Sequence, residues 1–244
     1  MTKPRINLGC GLITYPNEPH WSHGMVDRDI LIEGDWVNVD RNVAPGVNEQ
    51  VDLFTYPWPW EDNSFSLALA THLVEHIPHA PKIMGFNGAD ELMNAGQYWQ
   101  KNVVKWRERC EELANLQDGW FCFFSELWRV LEPGGAVHLL VPHGASDGAL
   151  ADPTHTRYIL PQTFAYLQKD PNGQFDYSIG CNFEAPDPAY RITEPYRNLL
   201  PEPDDDAQTR EQKALELRYN MITRRNVVYE FYQKLTAVKD ADSD

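Results

Sequence analysis

The stretch "PRINLGCGLITYP", residues 4–16, combines a short apolar run with two glycines one residue apart. Ile6 and Leu8 are separated by a polar residue, which predicts a brief β-strand. Gly9 and Gly11 follow at once, and glycine allows a sharp turn where side chains would collide. We therefore expect a first strand that ends in a turn suited to the close approach of a nucleotide-shaped ligand to a sheet edge.

Strands and helices then alternate along the chain. "WVNVD" (36–40) predicts a second strand, and the apolar run 65–70 predicts a buried strand after the turn signal "EDNS". Helical spacing of apolar residues predicts a helix over 121–131 that "EPGG" ends, and "AVHLLVP" (136–142) predicts another strand. Such alternation predicts an α/β fold with parallel strand pairing.

Two further helices are predicted from the same spacing. Apolar residues at steps of three and four over 98–116 predict an amphipathic helix, whose apolar stripe packs either in its own chain or across a homodimer. A last helix is expected over 227–238, after an acidic loop at 201–206. The length of 244 residues fits one domain spanning 1–244, with an acidic C-terminal extension from about 201.

The composition restricts the partners and the compartment. A formal net charge of −15 repels phosphate backbones, which argues against binding of free nucleic acid. The 4 cysteines are far apart and form no CxxC pair, as expected for reduced thiols in a cytoplasmic protein. No apolar run approaches the roughly 18 residues of a membrane span, so we expect no membrane association.

Two carboxylates follow the glycine turn in an order that suggests a binding crevice. Asp40 ends the second predicted strand, and Asp52 lies in "VDLF" ahead of the next one. Ligands of doubly wound sheets bind outside the carboxyl ends of the strands. A carboxylate there accepts hydrogen bonds from a ribose diol, each contributing about 1.5–3 kcal/mol.

Five sequence blocks together resemble one enzyme family, the class I S-adenosylmethionine-dependent methyltransferases, and in particular small members that begin with "LNLGCG". The blocks occur in the family's order and cover under half of the chain: "INLGCG" (6–11), "WVNVD" (36–40), "YPWPWEDNSFSLALATHLVEHI" (56–77), "FFSELWRVLEPGGAVHLLVPH" (123–143) and "DPTHTRYILPQTFAYL" (152–167). The resemblance implies a doubly wound, mostly parallel seven-stranded sheet of Rossmann-like form with inserted helices. It also implies S-adenosylmethionine as cofactor and transfer of its methyl group to a small-molecule or macromolecular acceptor.

The resemblance also implies which residues line the cofactor site. These residues are Asn7, Gly9, Cys10, Gly11, Asp40, Asp52, Leu53 and His72. In the family's pattern the glycine turn faces the methionine part of the cofactor, with Asn7 at a position that is often acidic. Asp40 holds the ribose hydroxyls, Asp52 and Leu53 flank the adenine, and His72 lies near the sulfonium or the acceptor.

The sequence departs from the family's pattern at two places. Ile13 replaces a frequent third glycine, and the 29 residues from Gly11 to Asp40 imply an insertion near 17–34. Glu33 lies within that insertion and is a rival ribose ligand. A second insertion, at 80–119, forms either a lid or an interface.

Polar residues after the strand 136–142 suggest an acceptor pocket. His143 follows the strand directly, and "ADPTHTRY" adds Asp152, His155, Arg157 and Tyr158. His143 or His155 is a candidate general base, because the ordinary pKa of histidine lies near neutral pH. The alternative is that these residues only brace the loop.

Other functions compatible with the residues are a non-catalytic binding protein for S-adenosylmethionine or a nucleotide, and a metal-dependent hydrolase using His143, Asp152 and His155. A nicotinamide-binding protein is disfavoured because Thr14 occupies the position of a required glycine. The pattern His72, Glu75, His76, followed by His79, suggests a metal site if the segment is helical. The resemblance implies no metal, because the family carries "HxxEH" without one.

Overall fold

The computed structural model describes residues 3–15, 34–85, 95–169 and 179–239. Its strands are β1 Arg5–Leu8, β2 Trp36–Asp40, β3 Glu49–Gln50, β4 Thr55–Tyr56, β5 Phe65–Thr71, β6 Lys82–Ile83, β7 Leu131–Pro142, β8 Phe183–Glu184, β9 Ala189–Ile192 and β10 Val228–Ala237. Its α-helices are α1 Gln97–Lys101, α2 Val103–Asn115, α3 Gly119–Val130, α4 Asp147–Ala151 and α5 Ala207–Thr223. Short 3-10 helices occur at Val74–His76, Pro161–Leu167 and Glu194–Leu199.

One mixed sheet organises the fold, in the strand order β3-β2-β1-β5-β7-β10-β8, with β9 also paired to β10. The strands β1, β2, β3, β5 and β7 run parallel, whereas β10 is antiparallel to its neighbours. The predicted α/β fold with a mostly parallel sheet is confirmed. The sheet has 8 strands where seven were expected. The difference arises because β8 and β9 divide one edge of β10 between them.

The core lies on and around the parallel strands. Ile6 and Leu8 of β1 and Leu139 of β7 are fully buried. Short apolar strands of this kind suit a parallel sheet that is covered on both faces. Helix α3 packs its aromatic side chains into the same cluster, and Asp118 caps it by accepting a hydrogen bond from the Trp120 amide at 2.7 Å. The predicted strands and the helix over 121–131 are thereby confirmed.

Over residues 97–115 the structure has two helices, α1 and α2, where one helix over 98–116 was predicted. The break lies at Asn102, whose φ of −127° and ψ of 52° are not helical. Trp106, Cys110 and Leu113 of α2 are buried within the same chain. This apolar stripe is therefore not available for the homodimer contact that the sequence left open.

A buried ion-pair network fixes the insertion to the core. The carboxylate of Glu126, on α3, accepts hydrogen bonds from Arg109 Nε at 2.8 Å and from Arg129 Nη2 at 2.7 Å. It also accepts the backbone amide of Trp58 at 2.7 Å. Arg129 in turn donates to Asp62 at 2.8 Å. Arg109 is on α2, so this network connects the insertion to α3.

The C-terminal region differs from its prediction. The helix expected over 227–238 is the strand β10, which lies inside the sheet between β7 and β8. The sequence of β10 does not show the alternation of apolar and polar residues that is typical of a strand, because the polar Gln233 occupies an inward position. There it is 2% exposed and donates a hydrogen bond to the Pro186 carbonyl at 2.7 Å. The residues beyond 201 are therefore part of the fold as well as an acidic extension.

The insertion predicted near 17–34 falls almost entirely outside the described residues, and Glu33 is among those not described. Within the described ranges, every helix is too short or too polar to cross a membrane.

Candidate functional site

The strand order reverses between β1 and β5, and we call the region outside the carboxyl ends of these two strands the crevice. From β1 the chain proceeds outward through β2 to β3, and it returns to the other side of β1 at β5. In an open α/β sheet, the gap at such a reversal, outside the carboxyl ends of the strands, is where ligands bind. The residues that follow β1, β2, β5 and β7 therefore form the candidate site.

The glycine turn after β1 has the conformation that the sequence predicts. Gly9 and Gly11 have φ of 64° and 55°, in the left-handed region that glycine favours. A Cβ on Gly9 would lie 2.7 Å from Cδ1 of Leu73, whereas a Cβ on Gly11 would meet nothing within 4 Å. Gly9 thus permits close packing on the segment after β5, and Gly11 borders open space.

Asp40 joins the end of β2 to this turn. Its Oδ2 accepts the backbone amide of Gly11 at 2.9 Å, and its Oδ1 accepts the amide of Asn42 at 2.8 Å. Each carboxylate oxygen keeps a further lone pair for a ligand. The structure brings together the carboxylate and the glycine turn that the sequence predicted to share a site.

Asn7 and Cys10 have structural roles in the described fold. Asn7 is 2% exposed, and its Nδ2 donates to Asn38 Oδ1 at 3.0 Å and to the Ile13 carbonyl at 2.9 Å. It therefore holds the glycine turn from inside, and a contact of Asn7 with a ligand stays a prediction. Burial, together with the charge of Asp40, raises the pKa of the Cys10 thiol to about 11, so the thiol stays protonated at neutral pH.

Asp52 and Leu53 have different surroundings in the structure. Leu53 is buried in the core, and its carbonyl accepts a hydrogen bond from Trp58 Nε1 at 3.0 Å; the contact of its side chain with an adenine ring stays a prediction. Asp52 borders a cavity of about 460 Å³ with Lys82, whose Nζ lies 3.3 Å from its Oδ2. Burial raises the pKa of Asp52, but hydrogen bonds from Thr55, Phe54 and Lys82 outweigh it and lower the pKa.

His72 follows β5 directly and is held between two carboxylates. Its Nε2 lies 3.1 Å from Glu230 Oε2, and its Nδ1 lies 3.5 Å from Glu75 Oε1. Burial alone lowers the pKa of His72, whereas the hydrogen bond with Glu230 and the nearby carboxylate of Glu75 raise it to about 9. Arg191 donates to the other oxygen of Glu230 at 2.6 Å. His72 therefore carries a positive charge at neutral pH.

A cavity of about 500 Å³ opens beside His72. Its other lining residues come from β9, the following 3-10 helix and β10: Arg191, Ile192, Thr193, Glu194, Arg197, Tyr229 and Glu230. Sequence reasoning missed these residues because only the pairing of β9 with β10 brings them to the end of β5. No local motif marks them.

His143 follows β7 and is mostly buried. Its Nδ1 accepts the backbone amide of Ala145 at 3.3 Å, and its ring meets Phe231 edge to face, with ring centroids 6.0 Å apart. Burial lowers the pKa of His143, which keeps the imidazole neutral. Its backbone amide donates to the carbonyl of Tyr229, a residue that lines the cavity beside His72.

His155 lies in a different cluster from His143. Its Nδ1 lies 2.8 Å from the carbonyl of Ala149, and its Nε2 lies 3.9 Å from Glu75 Oε1 and 3.8 Å from Asp152 Oδ2. Asp152 and His155 are thus brought together as the sequence suggested. Across the described ranges, the group of potential metal ligands that forms is Glu75, His76 and His155, which does not include His143.

Arg157 braces the loop that carries His155. Its Nη2 donates to Asp118 Oδ1 at 2.7 Å, and its Nε donates to the carbonyl of Ile77 at 2.8 Å. The exposed Tyr158 borders a third cavity, of about 530 Å³, with Trp120 and Arg157. The bracing role considered from the sequence therefore holds for Arg157.

No family model matches the sequence, and no curated protein matches it. Among solved structures, the chain is similar to a SAM-dependent methyltransferase from Archaeoglobus fulgidus, with 12% identity, a TM-score of 0.48, and coverage of 96% of this chain and 86% of that chain. It is also similar to the YcgJ protein from Bacillus subtilis, with 12% identity, a TM-score of 0.45, and coverage of 98% and 93%. A third is phosphoethanolamine N-methyltransferase 2 from Haemonchus contortus in complex with S-adenosyl-L-methionine, with 13% identity, a TM-score of 0.39, and coverage of 98% and 49%.

Proposed function

We propose that this protein binds S-adenosylmethionine in the crevice between β1 and β5 and transfers the methyl group to an acceptor. The observation that carries the proposal is the junction of Asp40 with the glycine turn. The hydrogen bond from the Gly11 amide to Asp40 Oδ2, at 2.9 Å, sets a carboxylate beside open backbone at the reversal of the strand order.

The residues of the crevice fit the parts of that cofactor. The Asp40 oxygens each accept one backbone amide and retain lone pairs for the two hydroxyls of a ribose. The open space over Gly11 allows the backbone to approach the amino-acid part of the ligand. When bound, S-adenosylmethionine supplies a sulfonium that already activates the methyl carbon. The task of the chain is to align the acceptor and exclude water.

The cavity beside His72 favours methyl transfer over binding alone. A non-catalytic binding protein needs no second cavity next to its ligand crevice, and this one begins at His72, the residue that follows β5. The charges of His72, Arg191 and Glu230 give its wall polar groups that can orient an acceptor. His143 is neutral because burial lowers its pKa, and it is the candidate base; it would take the acceptor's proton at Nδ1 in exchange for the Ala145 amide that this nitrogen accepts.

Calorimetric titration of the full chain with S-adenosylmethionine, S-adenosylhomocysteine and NAD tests the proposal. We expect both sulfur ligands to bind with 1:1 stoichiometry and NAD to give no heat of binding. Binding of NAD without binding of either sulfur ligand would overturn the assignment.

A further inference from the structure

Glu75 is a buried carboxylate whose hydrogen-bonding capacity is unused. The residue is 1% exposed, and neither Oε1 nor Oε2 accepts a hydrogen bond. The imidazoles of His72 and His155 lie 3.5 Å and 3.9 Å from Oε1. Buried carboxylates are normally hydrogen-bonded or bound to a cation, because burying an uncompensated charge is costly. The His72 imidazolium offsets the charge of Glu75, but both carboxylate oxygens lack a hydrogen-bond donor and can therefore accept a cation.

Two imidazoles are oriented toward this carboxylate. His155 Nδ1 lies 2.8 Å from the Ala149 carbonyl, and His76 Nδ1 lies 3.2 Å from the Thr154 carbonyl. Because a carbonyl can only accept, each Nδ1 carries the proton and each Nε2 is left with its lone pair. A backbone carbonyl on the second ring nitrogen is the usual way in which proteins fix a metal-binding histidine.

We propose that Glu75, His76 and His155 bind one divalent transition-metal ion of the Zn²⁺ type. One ligand atom from each of the three lies within 4.8 Å of the others, so small side-chain movements bring them around one ion. Two imidazoles and one carboxylate suit Zn²⁺, whereas Mg²⁺ and Ca²⁺ prefer oxygen ligands. This inference does not depend on the proposed methyl transfer.

The charges around the cluster are compatible with a cation. Asp152 Oδ2 lies 3.8 Å from His155 Nε2 and adds a second carboxylate at the exposed side. On the opposite side, His72 is shared between Glu75 and Glu230, and Glu230 also has Arg191 at 2.6 Å. His72 and Arg191 thus balance Glu75 and Glu230, and Asp152 supplies a further negative charge beside the cluster.

The ion would join two segments that already contact each other. The carbonyl of Glu75 accepts the amides of Thr156 and Arg157 at 2.9 Å and 3.1 Å. The segment before Glu75 carries Leu73, against which Gly9 packs. A bound ion would thus fasten the loop at 152–157 to the segment that supports the glycine turn.

The test is calorimetric titration of the untagged full chain with ZnCl₂ after removal of metal by EDTA. The ligand variants are Glu75→Gln, His76→Gln and His155→Gln. The control is His79→Gln, because His79 is exposed in the same segment and is not part of the cluster. Circular dichroism establishes that each variant is folded. If Glu75→Gln does not fold, the partly exposed His76 provides the decisive variant.

We expect the wild type and His79→Gln to bind one Zn²⁺ with affinities within about threefold of each other. Each ligand variant should lose at least about 100-fold in affinity, since loss of even an outer-shell partner typically weakens binding 10–100-fold. Titration with Co²⁺ should give visible absorption bands in the wild type that His76→Gln abolishes. Absence of 1:1 Zn²⁺ binding, or equal affinity in wild type and folded ligand variants, would overturn the proposal.

Discussion

The Asp40 carboxylate and the Gly11 amide are hydrogen-bonded at 2.9 Å, although 29 residues separate them in sequence. The bond links the end of β2 to the turn after β1, so two features that a ligand would contact are fixed relative to each other before it binds. Preorganisation of this kind lowers the entropy that is lost on binding. The same bond makes the geometry of the crevice sensitive to single substitutions in either residue.

Replacement of Gly9 by alanine should impair both folding and cofactor binding. The new Cβ would lie 2.7 Å from Leu73 Cδ1, in addition to the strain of a φ of 64°. Gly11→Ala is the matched control, because its φ of 55° brings similar strain and its Cβ meets nothing within 4 Å. In urea unfolding, we expect Gly9→Ala to lower the free energy of unfolding by about 2–4 kcal/mol and Gly11→Ala by about 1–2 kcal/mol.

The double variant Gly9→Ala/Leu73→Ala separates the clash from the backbone strain. Removing the Leu73 side chain relieves the contact, so the Gly9 substitution should cost less in that background than in the wild type. An equal cost in both backgrounds would show that Leu73 does not explain the requirement for glycine.

Removal of the Glu126 carboxylate should be strongly destabilising. Glu126→Ala leaves the cations of Arg109 and Arg129 and the Trp58 amide without their shared acceptor. Breaking a buried ion pair from one side costs about 3–5 kcal/mol. Glu112→Ala removes the exposed partner of Arg109 and should cost less than about 1 kcal/mol. Comparable urea midpoints for the two variants would contradict the importance of the buried network.

His138 should make the protein less stable in weak acid. Burial, with smaller contributions from the charges of Lys234 and Arg5, lowers its pKa from 6.5 to about 4. Between these values the unfolded chain binds the proton and the folded chain does not, so stability falls as the pH falls from 6.5 to 4. The loss attributable to this group is about 3 kcal/mol.

His138→Gln removes this titration, and its effect is measured as the difference in unfolding free energy from the wild type at several pH values. The difference should shift in favour of the variant by about 3 kcal/mol between pH 6.5 and pH 4. A constant difference across this range for His138→Gln would mean that His138 is not held neutral by the fold.

Local sequence patterns were sufficient to predict the strands that border the crevice and the helix α3. The apolar runs of β1, β2 and β5 and the helical spacing of α3 are each complete within a dozen residues, and the structure has them at the predicted places. The pairing of Asp40 with the glycine turn was also predictable, because carboxyl ends of parallel strands meet at one edge of a sheet.

The remaining features depend on contacts that the sequence does not display. Gln233 interrupts the apolar face of β10 and made a strand resemble a helix, since its hydrogen bond to Pro186 exists only in the folded chain. Asn7 has the sequence position of a ligand contact, but its side-chain amide donates hydrogen bonds to Asn38 and to the Ile13 carbonyl. The meeting of His155 with Glu75 and His76 follows from the path of a loop, which no spacing rule predicts.

The affinity of Asp40 variants for S-adenosylmethionine tests the central claim most directly. Asp40→Ala removes a charged acceptor and should weaken binding in calorimetry by at least about tenfold, because one charge-assisted hydrogen bond contributes about 1.5–3 kcal/mol. Asp35→Ala, the same substitution in an exposed residue at the opposite end of β2, should bind as the wild type does. If Asp40→Ala keeps wild-type affinity, and above all if Glu33→Ala loses it instead, the crevice between β1 and β5 is not the binding site described here.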